Sequence, residues 1–220
     1  MNEDYKTTER RCSKYTRRIS SRSIKYRYTV CSCEAGSGWS SNQRHHANTR
    51  NQNSYTTTND VELKSLSYWP AEDYLNIWVT NLGGGFLGYA HFPITTLQGT
   101  DPPYDAATDG VVIHYKAFGS SADGSFSLLP QYNLGRTATH EVGHYLGLLH
   151  VFGDFSGCGT TDYVDDTPVQ SDRTFTCPTG PLTQCTHHVM YQNFLDYTDD
   201  ACMNLFTRGS DCENSNGVGK

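Results

Sequence analysis

Apolar positions change their rhythm near Thr56. Across residues 1–55 they keep neither a helical nor a strand period over any useful length, and only Ile24–Val30 alternates as a short strand does. Arg, Ser, Thr, Asn and Gln fill the rest, a composition that predicts disorder. Beyond it the chain becomes periodic. Leu63 and Leu66, spaced i, i+3, predict a short helix over Asp60–Leu66. Tyr74–Thr80 is rich in aromatic and β-branched residues and predicts a strand. Gly83–Gly85 mark a turn or a close backbone approach. Leu87–Phe92 is a second short strand, closed by Pro93 as the edge of a sheet allows. Gly110–Phe118 is a third, and its unbroken apolar centre predicts burial on both faces. A helix follows, from about Tyr132–Gly135 to Gly147. After His150 the pattern is irregular as far as Gln192, then a short helix is expected over Asp199–Thr207. The expected division is therefore a basic N-terminal segment (1–55), one domain (56–208) and a frayed tail (209–220).

Composition adds charge asymmetry and cysteines. The net charge of −6 hides a basic arm: residues 1–50 hold eleven of the seventeen Lys and Arg and only four acids. The remainder holds six basic residues against nineteen acidic ones. A solvated tail is the expectation for this arm, with no nucleic-acid partner. No apolar run is long enough for a transmembrane helix, and no membrane partner is expected. Eight cysteines suit an oxidising compartment and a secreted protein. They allow 105 pairings, which sequence alone does not resolve. Met1–Arg18 has no apolar centre of the kind a signal peptide needs. The expectation is that a leader lies outside this sequence or that the start is misassigned.

The chemistry concentrates in His140-Glu141-Val142-Gly143-His144-Tyr145-Leu146-Gly147-Leu148-Leu149-His150, an H-E-x-x-H-x-x-G-x-x-H pattern. On a helix, i and i+4 share a face, so His140 and His144 aim two imidazoles at one point. Two such ligands form half of a tetrahedral zinc site. Glu141 then stands beside the metal, where a general base deprotonates water. Gly147 ends the helix, because glycine accepts the positive φ of a helix C-terminus. The turn returns His150 as third ligand, and three protein ligands leave the fourth position open, which is the catalytic arrangement.

This pattern is the metzincin signature. The chain resembles the pappalysin family of metzincin zinc metalloproteases from about Thr58 to Arg208. The matches include Tyr74–Val79, Asn81–Gly84, Leu87–Ala90, Asp162-x-Val164-x-Asp166-Thr167-Pro168 and Asn193–Met203. The resemblance implies an α/β (α+β) metzincin-type zincin: a small twisted mixed sheet, an active-site helix and an irregular, disulfide-stapled C-terminal half. It implies a zinc-dependent endopeptidase, expected to be a monomer acting on protein or peptide. His140, His144 and His150 would bind zinc, Glu141 would be the general base, and Tyr197 would support the transition state. The edge strand with Gly88, Tyr89 and Ala90 would pair with extended substrate. Asp200 would sit in the pocket for the residue after the cut and select Arg or Lys. Asp162 and Thr167 match calcium ligands, and the disulfides would be Cys158–Cys185 and Cys177–Cys202.

Two departures bear on this. Leu195 stands where the family carries the methionine of a turn beneath the zinc; the similar volume implies a softer site that still works. The opening strand-helix-strand of the family is not found before residue 56. The first fifty-odd residues are therefore expected to be a wrong-frame translation or the product of a damaged gene. In a milder expectation Cys12, beside Arg11, is a latency thiolate for the zinc, although Ser13 stands where a glycine would be expected. The rival to an enzyme is a non-catalytic, truncated metal-binding relative.

Overall fold

The computed structural model describes residues 19–21, 24–26, 54–71, 74–92, 105–153 and 155–210. In the N-terminal segment, β1 (Ile19–Ser21) and β2 (Ile24–Tyr26) pair antiparallel. The other expectations for residues 1–53, the roles of Cys12, Cys31, Cys33 and Cys212, and the tail beyond 210 lie outside the described residues.

The upper half is a mixed sheet between two helices. β3 (Ile77–Thr80) and β5 (Val111–His114) run parallel, and β4 (Gly88–Ala90) pairs antiparallel with β5, giving the order β3-β5-β4. Helix α1 (Asp60–Ser65) precedes them, and α2 (Arg136–Tyr145) follows. Val111, Val112 and Ile113 are wholly buried because successive strand residues face opposite sides and both sides are covered. Val112 packs with Tyr55, Leu63, Trp78 and Leu82 on the α1 side. Val111 and Ile113 pack with Leu75, Val142 and Tyr145 on the α2 side.

The strands are shorter than the apolar pattern predicts. Leu75 makes only an isolated bridge, and β4 covers three of the six residues Leu87–Phe92. The third strand stops at His114, whose Nδ1 accepts the Lys116 N–H at 3.0 Å and turns Tyr115–Ala117 into a 3-10 turn. A side chain bonding the local backbone competes with the ladder, which apolar periodicity does not register.

The lower half begins at His150 and holds only two-residue strands. β6 (Phe175–Thr176) pairs parallel with β9 (Tyr197–Thr198), and β7 (Thr183–Gln184) pairs antiparallel with β8 (His187–His188). Its core is Leu148, Val151, Phe152, Phe194, Leu195 and Met203. Disulfides join Cys158 to Cys185 and Cys177 to Cys202. The helix expected over Asp199–Thr207 is absent. A turn closes with the Cys202 N–H on the Asp199 carbonyl, and the chain then runs extended, Leu205 accepting from Phe194 N–H at 3.0 Å. Its backbone groups pair with Gln192 and Phe194 instead of with one another.

Candidate active site

The geometry of α2 follows from how the helix ends. Gly147 takes φ +99, the left-handed conformation that suits glycine at this position. Its N–H bonds the His144 carbonyl at 2.9 Å, and the Leu148 N–H bonds the Gly143 carbonyl at 3.0 Å. That pair of bonds is a Schellman motif. The motif folds the Leu148 carbonyl back onto His144 Nδ1, 2.7 Å away. His140 Nδ1 meets the Phe194 carbonyl at the same distance. A carbonyl only accepts, so both Nδ1 atoms carry hydrogen and both Nε2 atoms present lone pairs.

Those lone pairs converge. His144 Nε2 lies 3.0 Å from His140 Nε2 and 3.0 Å from His150 Nε2. Burial and the two neighbouring imidazoles hold His144 well below the usual histidine range, in its neutral, ligating form. Ligands about 2.0–2.1 Å from one zinc ion stand roughly 3.3 Å apart, so the set fits that metal. Among the described residues no other His, Cys, Asp or Glu cluster is gathered this way. His140 and His144 are buried, whereas His150 is half-exposed, which leaves one side open to solvent.

Glu141 lies beneath the edge strand and is only 5% exposed. Burial pushes its carboxyl up to about 8, and a divalent cation at the imidazoles acts in the opposite direction. The fit against Gly88 is close: a Cβ there would stand 2.7 Å from Glu141 Cγ and Oε1. Gly88, Tyr89 and Ala90 form β4, which has no strand on its outer side among the described residues.

The lower half supplies the remainder. The Tyr197 ring lies 4.9 Å from that of His150 and 5.7 Å from that of His140. Leu195 is buried beneath α2, and its Cδ2 would be 2.9 Å from any Cβ at position 143, so the helix turn between the two first histidines rests on it. Asp200 is 2% exposed. Its Oδ2 accepts from the Leu134 N–H at 2.7 Å and the Arg136 N–H at 3.2 Å. It thus caps α2 from a distant loop, because the local N-cap, Gly135, has no side chain. Burial raises the Asp200 carboxyl, with these bonds opposing. Burial likewise pushes Asp162 up to about 6. The Thr167 hydroxyl lies beside that carboxylate, buried and without a well-formed hydrogen bond of its own.

Sequence reasoning missed the two backbone carbonyls that orient the imidazoles and the helix cap made by Asp200. A carbonyl has no side-chain signature, and a cap reaching across 64 residues leaves no local pattern.

A helix-borne imidazole centre under a small mixed sheet, completed from a disulfide-bonded irregular half, defines a metzincin-type fold. The chain belongs to the pappalysins: the peptidase M43 family, described as pregnancy-associated plasma protein-A, matches residues 56–216. An extracellular metalloprotease of Colletotrichum graminicola is 44% identical over 132 residues, 59% of this chain and 44% of its own length. One from Arthroderma otae is 37% identical over 163 residues, covering 73% and 57%. Among solved structures, mature mirolysin of Tannerella forsythia, in complex with a cleaved peptide, superposes with a TM-score of 0.63 at 44% identity. That match covers 74% of this chain and 60% of mirolysin. The chain spans about half the length of the curated relatives it matches.

Proposed function

We propose that this protein is a zinc-dependent endopeptidase, with residues 56–208 as its catalytic unit. One observation carries the reading: three Nε2 atoms converge at a helix whose Glu141 carboxyl is buried against the edge strand β4. When bound by His140, His144 and His150, zinc supplies Lewis-acid chemistry that acidifies water and polarises a carbonyl. An extended peptide adds to the outer edge of β4 by backbone hydrogen bonds at Gly88–Ala90. Glu141 takes the proton of the attacking water and hands it to the leaving amine. Tyr197 stabilises the oxyanion through its hydroxyl.

Asp200 selects Arg or Lys just after the cut, its oxygen not engaged by α2 pairing with the cation. Calcium is held by Asp162 and Thr167, since a buried carboxylate beside a hydroxyl suits a hard cation. Two disulfides and relatives named extracellular metalloproteases support a secreted protein.

The test is incubation of the purified chain with an Arg-containing peptide, products identified by mass spectrometry. Cleavage before Arg is expected, and Glu141→Ala abolishes it while zinc stays bound. Zinc retained with no cleavage by the unaltered protein would instead establish the non-catalytic relative.

A further inference from the structure

The face of β4 turned away from the active site carries an ionic cluster with no part in the chemistry above. Gly88 and Ala90 point toward α2; Tyr89 and His91, alternating with them, point toward α1. One carboxylate takes both. Asp60 Oδ1 accepts the Tyr89 hydroxyl at 2.7 Å, and Oδ2 lies 3.0 Å from His91 Nε2. An ionised carboxylate only accepts, so that nitrogen carries the hydrogen. Lys64, one turn along α1, is wholly buried. Its ammonium bonds Asp60 Oδ1 at 2.9 Å and the Thr108 carbonyl at 2.7 Å. It also faces the rings of Trp78 and Tyr89 at 5.2 and 5.3 Å.

A lysine is almost never fully buried unless paired, and methionine of similar volume would fill the same space without the desolvation cost. Core filling alone therefore does not account for it. What the ion pair does is hold Asp60 ionised and aimed, so that its two oxygens grip two alternate residues of the same strand. β4 is three residues long and lies at the sheet edge, and among the described residues β5 is its one strand partner. Its opposite face has no tolerance, since Gly88 lies against Glu141.

We propose that Asp60, supported by Lys64, is a positioning residue that sets the height and twist of the substrate-pairing edge strand through Tyr89 and His91. The inference rests on the endopeptidase reading for its kinetic consequence, but not for its structural one. Asp60 is not among the groups that bind substrate or hold the metal in the reading above; it acts through β4.

The experiment compares the full chain with Asp60→Asn, His91→Leu and His91→Gln. Three quantities are read: kcat and KM on an extended peptide, hydrogen exchange over residues 87–92 against residues 136–145, and the thermal midpoint. Asp60→Asn and His91→Leu are expected to raise KM roughly five- to tenfold, with a smaller change in kcat. Both should speed exchange over 87–92 while leaving 136–145 as in the unaltered protein. Gln places a donor near the lost Nε2, so His91→Gln should recover most of the KM and the protection. Unchanged KM and exchange over 87–92 would overturn the proposal. So would a lowered midpoint with exchange faster everywhere, which marks a merely structural cluster, and so would a His91→Gln protein no better than His91→Leu. If the unaltered protein cleaves nothing, the endopeptidase reading fails on its own, and the exchange pattern still decides the positioning role.

Discussion

The two halves of this molecule bring ligands to the same point by different physics. Above His150, a strand buried on both faces is clamped between α1 and α2, and order comes from apolar burial. Below it, residues 150–210 fold with two-residue strands, two disulfides and side chains that bond backbone. Asp196 is wholly buried and accepts from Gln170 Nε2, Thr174 N–H and Tyr197 N–H, each at 2.8 Å. Gln184 Oε1 takes the N–H groups of Ser171 and Asp172. An irregular backbone is affordable only where such partners replace a ladder. The upper half can thus carry two ligands rigidly on one helix, while the lower half wraps the third ligand, Tyr197 and Asp200 around it.

Reducing the disulfides should break that contrast most strongly. Loops closed across 27 and 25 residues contribute about 3 kcal/mol each, a loss concentrated below His150. Urea unfolding with and without reductant, followed by hydrogen exchange, should show the lower half opening first while 136–145 stays protected.

A matched pair of truncations sharpens the comparison. Ile113→Ala and Leu195→Ala each empty a buried site and should cost about 2–5 kcal/mol by urea titration. Only Leu195→Ala should also weaken zinc, roughly tenfold or more in a chelator competition, because the turn under Gly143 and the Phe194 carbonyl on His140 shift together.

Gly88→Ala tests the contact between edge strand and Glu141. Its methyl would displace the Glu141 carboxyl, and kcat should fall on the order of 100-fold with the thermal midpoint nearly kept. Leu195→Met is a mild change, expected within about 1.5 kcal/mol and with little effect on turnover.

The smallest effects are in pH dependence, where Asp60 of the upper half and Asp200 of the lower half differ in sign. Burial raises Asp60, but hydrogen bonds from His91, Lys64 and Tyr89 outweigh it and hold the carboxyl below its ordinary 3.8. The folded state then binds fewer protons, so this stabilisation is present above pH 3.8 and is lost as pH falls through the folded value. Asp200 is raised from 3.8 by burial, so its contribution declines as pH rises from 3.8 through its folded value. Thermal midpoints across pH 3–7 should show Asp60→Asn flattening the acid side and Asp200→Asn flattening the decline above it.

Much of the upper half was legible. Leu63 and Leu66 marked α1, the apolar run around Val112 marked a doubly buried strand, and the His140–Gly147 spacing marked the helix with its left-handed stop. Local periodicity carries information where burial is the organising force. The lower half was not legible in the same way. Asp199–Thr207 has the composition of a short helix, yet it is a turn and an extended run, because its partners are Gln192 and Phe194. Bonds between distant side chains and backbone have no period.

The sequence by itself determined the three histidines and their spacing, the carboxylate next to the first of them and the glycine that stops the helix. Those follow from the 3.6-residue turn and from glycine's freedom at positive φ. Only the tertiary structure decided which nitrogen of His140 and His144 faces the metal. It alone showed that Asp200 caps α2, that Gly88 lies against Glu141, and that Asp60 grips two residues of β4. Each of these joins groups far apart in the chain, and their proximity is fixed by how the layers pack.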